Sequence, residues 1–444
     1  QDSLGQALLL HPGDPYFTLF REHRSGLWYI RSSKDVAERG FFAALNGYEA
    51  QVFLDIHEVE DSPQGHWARL NWELNGRGAP DIYASIEDLA FAELYAVLSK
   101  IFKSAVSLFS SSLKEEKSSP ALFPSSSKEE KPAPSLFPSV SEEKKSEASS
   151  LFSSSSAEEK KAEIKSAVFE FVRIGTRYLR GADGACDPFP ASVSGKSAEA
   201  DPELTAEIFA QYIARFLGFS EQIAGLSGLE ALRKDLETAV FAPAVAGYGL
   251  LILLRAVLGR GVSGAASAAL ADHWHLWRKL REWFGESGFS GDEAYRAGEL
   301  MRAILARTVP ETVVPAQSGN PAENLILEHY QAEDFRRILG VNRFEDTIWF
   351  NKEAFETALR YAPLFAALEV PGAFEKAASR KAADSALSET QWRKRLKSIA
   401  EITGAFAAAE RQSEYRLEGL IEALGAKPEI KPAPKKKTAK KNAP

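Results

Sequence analysis

Hydrophobic positions along this chain change their period near residue 81. Before it they come in short runs, at 16–20, 27–31, 41–45 and 51–59. In the last run Val52, Leu54 and Ile56 alternate with Gln51, Asp55 and His57. Runs of this length, divided by Gly26, Gly40 and Asn46-Gly47, predict a small antiparallel sheet. Asn46-Gly47 fits a hairpin turn, because both residues tolerate positive φ. Residues 62–80 read as loop. From Asp81 the spacing turns helical: Ile82, Ile86, Leu89, Leu94 and Leu98 lie near one face, Asp81 is placed to cap, and the helix is expected to reach about Phe102.

After residue 163 the helical pattern dominates. A helix over 164–179 is followed by a Gly/Pro/Ser loop over 181–202. Further helices are expected near 203–217, 227–240, 244–258, 265–284, 291–307, 321–338, 352–369, 373–384 and 388–424. The run 348–350 is the one short β-like stretch in this half. It ends an extended segment expected to pack on the next helix. Asn351 is a good N-cap for that helix, and Glu353 and Glu356 complement the dipole of its first turn.

Between these halves the pattern fails. Ser107-Leu108-Phe109, Ala121-Leu122-Phe123, Ser135-Leu136-Phe137 and Ser150-Leu151-Phe152 recur at spacings of 14, 14 and 15, separated by Ser, Pro, Glu and Lys. Too little apolar surface is available there to offset the entropy of ordering. The stretch reads as a long disordered repeat linker, with its Leu-Phe pairs either docking motifs or the by-product of an expanded surface loop. The fold class is therefore mainly α with a small N-terminal antiparallel β segment (α+β) and a multi-helix C-terminal domain. The expected division is a β-rich segment plus helix over 1–103, the linker over 104–162, the helical domain over 163–424 and a basic disordered tail over 425–444.

Composition adds limits. The chain has 444 residues, enough for two or three domains, with ordinary apolar (45%) and charged (26%) fractions. Its net charge of −7 conceals a tail from Lys427 onward that carries +6. No nucleic-acid partner is expected, except weakly through this Lys-rich tail, which is more simply a solubilising one. Cys186 is the only cysteine, which rules out an internal disulfide or a Cys₄ zinc site and slightly favours a reducing, cytoplasmic setting. Its acidic neighbours disfavour a nucleophilic thiol. The apolar run 239–258 approaches the length of a membrane span, but Pro243, Gly247, Gly249 and Arg255 interrupt it, so a buried core helix is expected and no membrane span. The chain begins at Gln1 and holds one methionine, Met301, so a removed leader or a longer parent protein is expected.

No complete catalytic motif and no cofactor-binding motif is present. His273 and His275 are two apart, so on a helix they diverge, whereas Trp274, Trp277, Leu280 and Phe284 make an apolar core stripe. Acidic residues are abundant, but no glycosidic pair can be selected among them. Asn75-Gly76-Arg77-Gly78-Ala79-Pro80 lacks a phosphate-binding arrangement and reads as a turn with positive φ. Arg77 within it is a candidate for a carboxylate or sugar hydroxyl.

Two groups of motifs carry a resemblance. One is Glu38-Arg39-Gly40, the stretch from Tyr48 through Val59, and Leu74-Asn75-Gly76-Arg77-Gly78-Ala79-Pro80-Asp81. The other is Leu339-Gly340-Val341-Asn342-Arg343-Phe344-Glu345 with Trp349-Phe350-Asn351-Lys352-Glu353-Ala354-Phe355-Glu356. In this order they resemble the C-terminal, post-barrel portion of large bacterial alpha-amylase-like proteins of glycoside hydrolase family 13. The resemblance covers 1–100 and about 320–370. It implies an accessory region acting with a catalytic barrel of the same polypeptide on α-glucan. The family's nucleophilic Asp, acid/base Glu and second Asp belong to that barrel, so no catalytic residue carries over. The alternatives are a non-enzymatic helical interaction or scaffold protein, and carbohydrate binding by this chain through Trp67 and Trp72.

Overall fold

The computed structural model describes residues 3–42, 45–118, 157–181, 187–190, 200–236, 241–259, 262, 264–307, 333–368 and 389–424. Outside them lie the Leu-Phe copies after the first, Cys186, the expected helix 373–384, residues 321–332 of another expected helix, and the Lys-rich tail. The described architecture is mainly α with a small N-terminal antiparallel sheet, as the pattern predicts.

The sheet has three strands, β1 (Tyr16–Glu22), β2 (Trp28–Ser32) and β3 (Phe53–Glu60), in the order β2-β1-β3. The ladder pairs Leu19 with Ile30 on one side and with His57 on the other. Strand alternation thus puts Phe17, Leu19 and Ile30 on one face. Helices α3 (His66–Leu74) and α4 (Ile82–Ala90) cover that face with Leu70 and Ile82. Near the opposite face lie the short α1 (Leu4–Ala7) and α2 (Ser33–Arg39), the latter tied to β1 by a buried hydroxyl pair, Thr18 to Ser33, at 3.0 Å.

Three expectations change here. Residues 62–80 contain α3 rather than only loop, its first turn capped by the Asp61 carboxylate, which accepts from the backbone amides of Trp67 and Ala68. The run 41–45 contributes no strand among its described residues. Phe41 instead packs from a loop onto Phe20 and Phe53 at 4.6 and 5.3 Å. Asn46 and Gly47 do stand in a turn, but β3 pairs with β1, so that turn joins no hairpin.

The helix expected from Asp81 to Phe102 is two. Asp81 caps α4 as expected, accepting from the amides of Tyr83 and Ala84. The chain breaks at Phe91 and continues as α5 (Ala92–Ser118). The apolar stripe changes core at this break: Ile82, Ile86 and Leu89 pack under the sheet, while Leu94 and Leu98 enter the helical body. The two cores therefore divide near Phe91.

Helix α5 runs through the first part of the stretch read as linker, and α6 (Ala157–Leu179) begins before its end. The two helices pack together. Leu108 and Phe109, the first Leu-Phe copy, are core residues of the body. What remains of the repeat, 119–156, lies outside the described residues.

The body is completed by α7 (Pro202–Leu217), α8 (Phe219–Gln222), α9 (Glu230–Leu236), α10 (Ala242–Leu258), α11 (Gly264–His273), α12 (Leu276–Glu286), α13 (Gly291–Arg307), α14 (Glu333–Ile338), α15 (Lys352–Leu368), α16 (Glu389–Ser413) and α17 (Leu417–Ala423). The apolar run flagged for membrane length is α10. All of its residues except Arg255 are buried, and α5, α6, α7, α11, α12 and α13 surround it. Gly247 admits this closeness: a Cβ there would stand 2.8 Å from the Phe284 ring. No helix among the described residues is long and apolar enough to cross a membrane. Buried phenols find carbonyl partners, Tyr95 donating to Trp274 and Tyr212 to Val245 at 2.7 and 2.8 Å.

The sheet unit meets the body through charge. Arg278 of α12 donates to Asp88 at 2.7 Å, to Glu87 at 3.2 Å and to the Ala84 carbonyl at 3.3 Å, while Lys279 reaches Asp88 at 2.8 Å. Each fixes α4 against α12 with charge-assisted bonds that a half-buried setting strengthens.

Candidate functional site

The turn after α3 collects four of the singled-out residues. Asn75 ends the helix in the left-handed region (φ 43°, ψ 48°), its amide donating to the Asn71 carbonyl at 3.0 Å. Gly76 continues at φ 85°, a conformation that costs glycine little. Gly78 has no room for a side chain, since a Cβ would sit 2.8 Å from Leu27 Cβ and 2.9 Å from the Tyr29 ring. Ala79 then exchanges two backbone hydrogen bonds of 2.8 Å with Trp28, stapling the turn to the edge of β2. Arg31 donates to the Gly76 carbonyl at 3.2 Å.

Arg77 folds back instead of reaching out. Its Nε donates to the Leu74 carbonyl and its Nη2 to the Glu73 carbonyl, at 3.2 and 3.1 Å. It therefore satisfies carbonyls that every helix C-terminus leaves open. The turn reading suffices for Asn75, Gly76 and Gly78, and Arg77 serves the same turn.

Beside this turn lies an open groove of about 580 Å³, lined by Asn71, Trp72, Glu73, Asn75 and Arg77. Trp72 is 78% exposed and is the one exposed tryptophan among the described residues. Trp67 is half-buried against the sheet core, edge-on to Tyr83 at 6.5 Å, so the two tryptophans form no common platform.

The second group of motif residues lies where a two-stranded hairpin, β4 (Asn342–Phe344) with β5 (Thr347–Trp349), meets α15. Trp349 bridges to Arg416. Phe350 is buried against Phe355 and Tyr415, with ring centroids 5.0 and 6.0 Å away. Asn351 caps α15 as expected, its Oδ1 accepting from the Ala354 amide at 2.9 Å. Lys352 extends over the Tyr415 ring at 5.8 Å and lies 3.8 Å from Glu356. Hydrogen bonding to Tyr415 and the nearby carboxylates hold its ammonium above the ordinary lysine range.

The sequence gives no warning of the acidic partner here. Glu410 of α16 is only 7% exposed, and its Oε1 has no hydrogen-bond partner. Burial first, and the Glu356 charge next, push this carboxyl up to about 6, against the pull of Lys352 and Arg411. Glu414 and Tyr415 beside it both adopt positive φ (50° and 65°), which side chains other than glycine rarely do. Glu410 lies in an unremarkable Ala-rich helical run. Its environment comes from α15, far away in sequence, so no local signal marks it.

His273 and His275 do not converge. The helix breaks between them, His275 standing at φ 49°. His273 bonds the Asp187 carbonyl at 2.8 Å, and His275 lies 3.1 Å from Glu87. Trp274, Trp277, Leu280 and Phe284 are core, as the stripe predicts. Among the described residues no group of three or more His, Cys, Asp or Glu side chains is placed to hold a metal ion.

Exposed apolar surface is unevenly spread. Of thirteen large hydrophobic side chains exposed among the described residues, nine lie between Leu4 and Tyr83. Phe42, Leu45, Tyr48, Val52 and Leu54 follow one another through a single stretch, with Phe42 91% exposed. Phe42, Val52 and Leu54 are sequence neighbours of Phe41 and Phe53, which pack on Phe20. Comparisons with protein-family models, with curated proteins and with solved structures find no match for this chain.

Proposed function

We propose that this chain is the accessory C-terminal region of an alpha-amylase-like glycoside hydrolase acting on α-glucan, with its sheet unit buttressing a catalytic barrel. The observation that carries this reading is the set of exposed apolar side chains Phe42, Leu45, Tyr48, Val52 and Leu54 on a unit with a small core of its own. Exposed apolar side chains gathered on one small unit mark a contact site, because covering them releases ordered water. The motif resemblance supplies the identity of the covering body, and the retaining pair of carboxylates belongs to that barrel. The rival scaffold reading loses its first contact, since Leu108 and Phe109 pack in the core.

The test begins with the coding sequence upstream of the Gln1 codon. An open frame encoding a (β/α)₈ barrel with three strand-end carboxylates is expected. A start codon with no barrel would overturn the reading. Where the barrel is present, hydrogen exchange across 41–54 should slow on its addition, and unchanged exchange would remove the buttressing role.

A further inference from the structure

We propose that the groove beside Trp72 is a saccharide-binding subsite that takes a chain of α-linked glucose. The class of ligand follows from geometry. One face of a pyranose is a patch of C–H groups, and its rim is a ring of hydroxyls. A ligand of that kind needs an exposed flat apolar surface with unspent polar groups at its margin. Trp72 provides the surface and is 78% exposed, while the other tryptophans are buried or half-buried. Asn71 and Asn75 line the same groove, and neither side-chain amide bonds another described residue. Each amide offers donor and acceptor together, matching a hydroxyl in either role.

The margin is also rigid. Two 2.8 Å backbone bonds hold Ala79 to Trp28, Gly78 sits against Leu27 and Tyr29, and Arg77 clamps the helix end. A preformed rim loses little conformational freedom when ligand arrives, which is the condition for a small site to bind at all. Arg69 pairs with Glu73 at 2.9 Å, so the acidic residue of the lining is already balanced, and the Arg77 guanidinium is committed to two backbone carbonyls. The choice of α-linked glucose rests on the functional reading above, whereas the saccharide class rests on the groove alone.

The test is titration of the full chain with maltoheptaose and, separately, with cellopentaose and AMP, read by calorimetry. The W72A variant removes the platform at an exposed position. Asn75→Gly keeps the left-handed backbone while deleting the amide. Millimolar binding of maltoheptaose is expected, lost at least tenfold in W72A and weakened several-fold in Asn75→Gly, with the circular dichroism of both variants unchanged. Cellopentaose binding in its place, also lost in W72A, would keep a saccharide subsite and overturn the α-glucan choice. Tighter binding of AMP, or binding of maltoheptaose that survives W72A, would overturn the subsite. No binding of either sugar would do the same, leaving the buttressing role to the barrel experiment.

Discussion

The helical body and the sheet unit solve the same problem with different means. The body wraps a helix, α10, that is apolar nearly all round, and it buries Trp274, Tyr248 and Phe365 completely. The sheet unit has one six-residue core cluster, Phe17, Leu19, Ile30, Leu70, Ala79 and Ile82, with Phe20 and Val36 buried outside it, and leaves Phe42, Leu45 and Tyr48 in solvent. A core that small gains little over the entropy of ordering its chain. On one side the unit is tied to the body by the Arg278 and Lys279 cluster. The difference separates a body with a large closed core from a unit with a small one and exposed apolar side chains.

The largest expected effect lies in the body. Tyr248 and Phe365 stack at 4.2 Å, and both are fully buried. Phe365→Ala should cost about 3–5 kcal/mol through lost transfer energy and the cavity left behind. Urea unfolding measures it, and a cost below about 1 kcal/mol would show the body to be loosely packed and erase the contrast.

The junction comes next. Arg278→Ala strips Asp88, Glu87 and the Ala84 carbonyl of a shared donor in a half-buried place. A loss of about 1–3 kcal/mol is expected, and it should fall on the sheet unit. Calorimetry should resolve one transition into two. A single transition shifted as a whole would mean that the continuous chain through Phe91, and not the ion cluster, couples the units.

The fold class was legible before the structure. The period-two runs around Leu19, Ile30 and His57 became strands, and the caps at Asp81 and Asn351 stand where the residue types place them. The failures share a cause. Residues 62–80 looked like loop because Gly65 begins α3 without a side-chain cap of its own, and the capping carboxylate sits four residues earlier, at Asp61. Residues 104–118 looked like linker because serines hide the spacing of Ile101, Ala105 and Leu108, on a helix whose packing partners α6, α7 and α10 lie far away in sequence. Phe41 and its neighbours looked like strand because aromatic runs favour sheets, yet Phe41 fills a gap beside Phe20 from a loop. The candidate sites were legible in part, since the sequence named Trp72 and the turn at 75–78 but not Glu410. Trp72 is set apart from Trp67 only by its exposure, and Glu410 is set by Lys352 and Glu356, more than fifty residues earlier in the chain.

Glu410 also probes how tightly the body closes. In the fold its carboxyl titrates at about 6, above the 4.5 of the free group. The raised value means that the fold favours the protonated form. That stabilisation is complete below the free value and is lost as pH rises through about 6. Glu410→Gln mimics the protonated form, so it should raise stability by about 1–2 kcal/mol near pH 8 and leave it unchanged near pH 4. Unfolding at the two pH values measures this. Equal effects at both would show that the carboxylate is solvated and that α15 and α16 do not enclose it.

The smallest expected effect decides most about the comparison. Phe42 and Tyr48 touch solvent, so replacing both with serine should change the stability of this chain alone by no more than about 0.5 kcal/mol. In an ordinary core that exchange would be ruinous, and the body offers the control in Phe365→Ala. What the double variant should change is association: less dye binding to exposed apolar surface, less aggregation, and weaker retention of an added barrel by at least tenfold. The apolar area lost from such a contact converts at roughly 25 cal/mol per Å², enough for two aromatic side chains to account for that factor. A variant that instead destabilised the isolated chain by about 2 kcal/mol or more would place these side chains within the unit's own packing. The sheet unit would then be as self-sufficient as the body, and the surface from Phe42 to Leu54 would no longer require a partner.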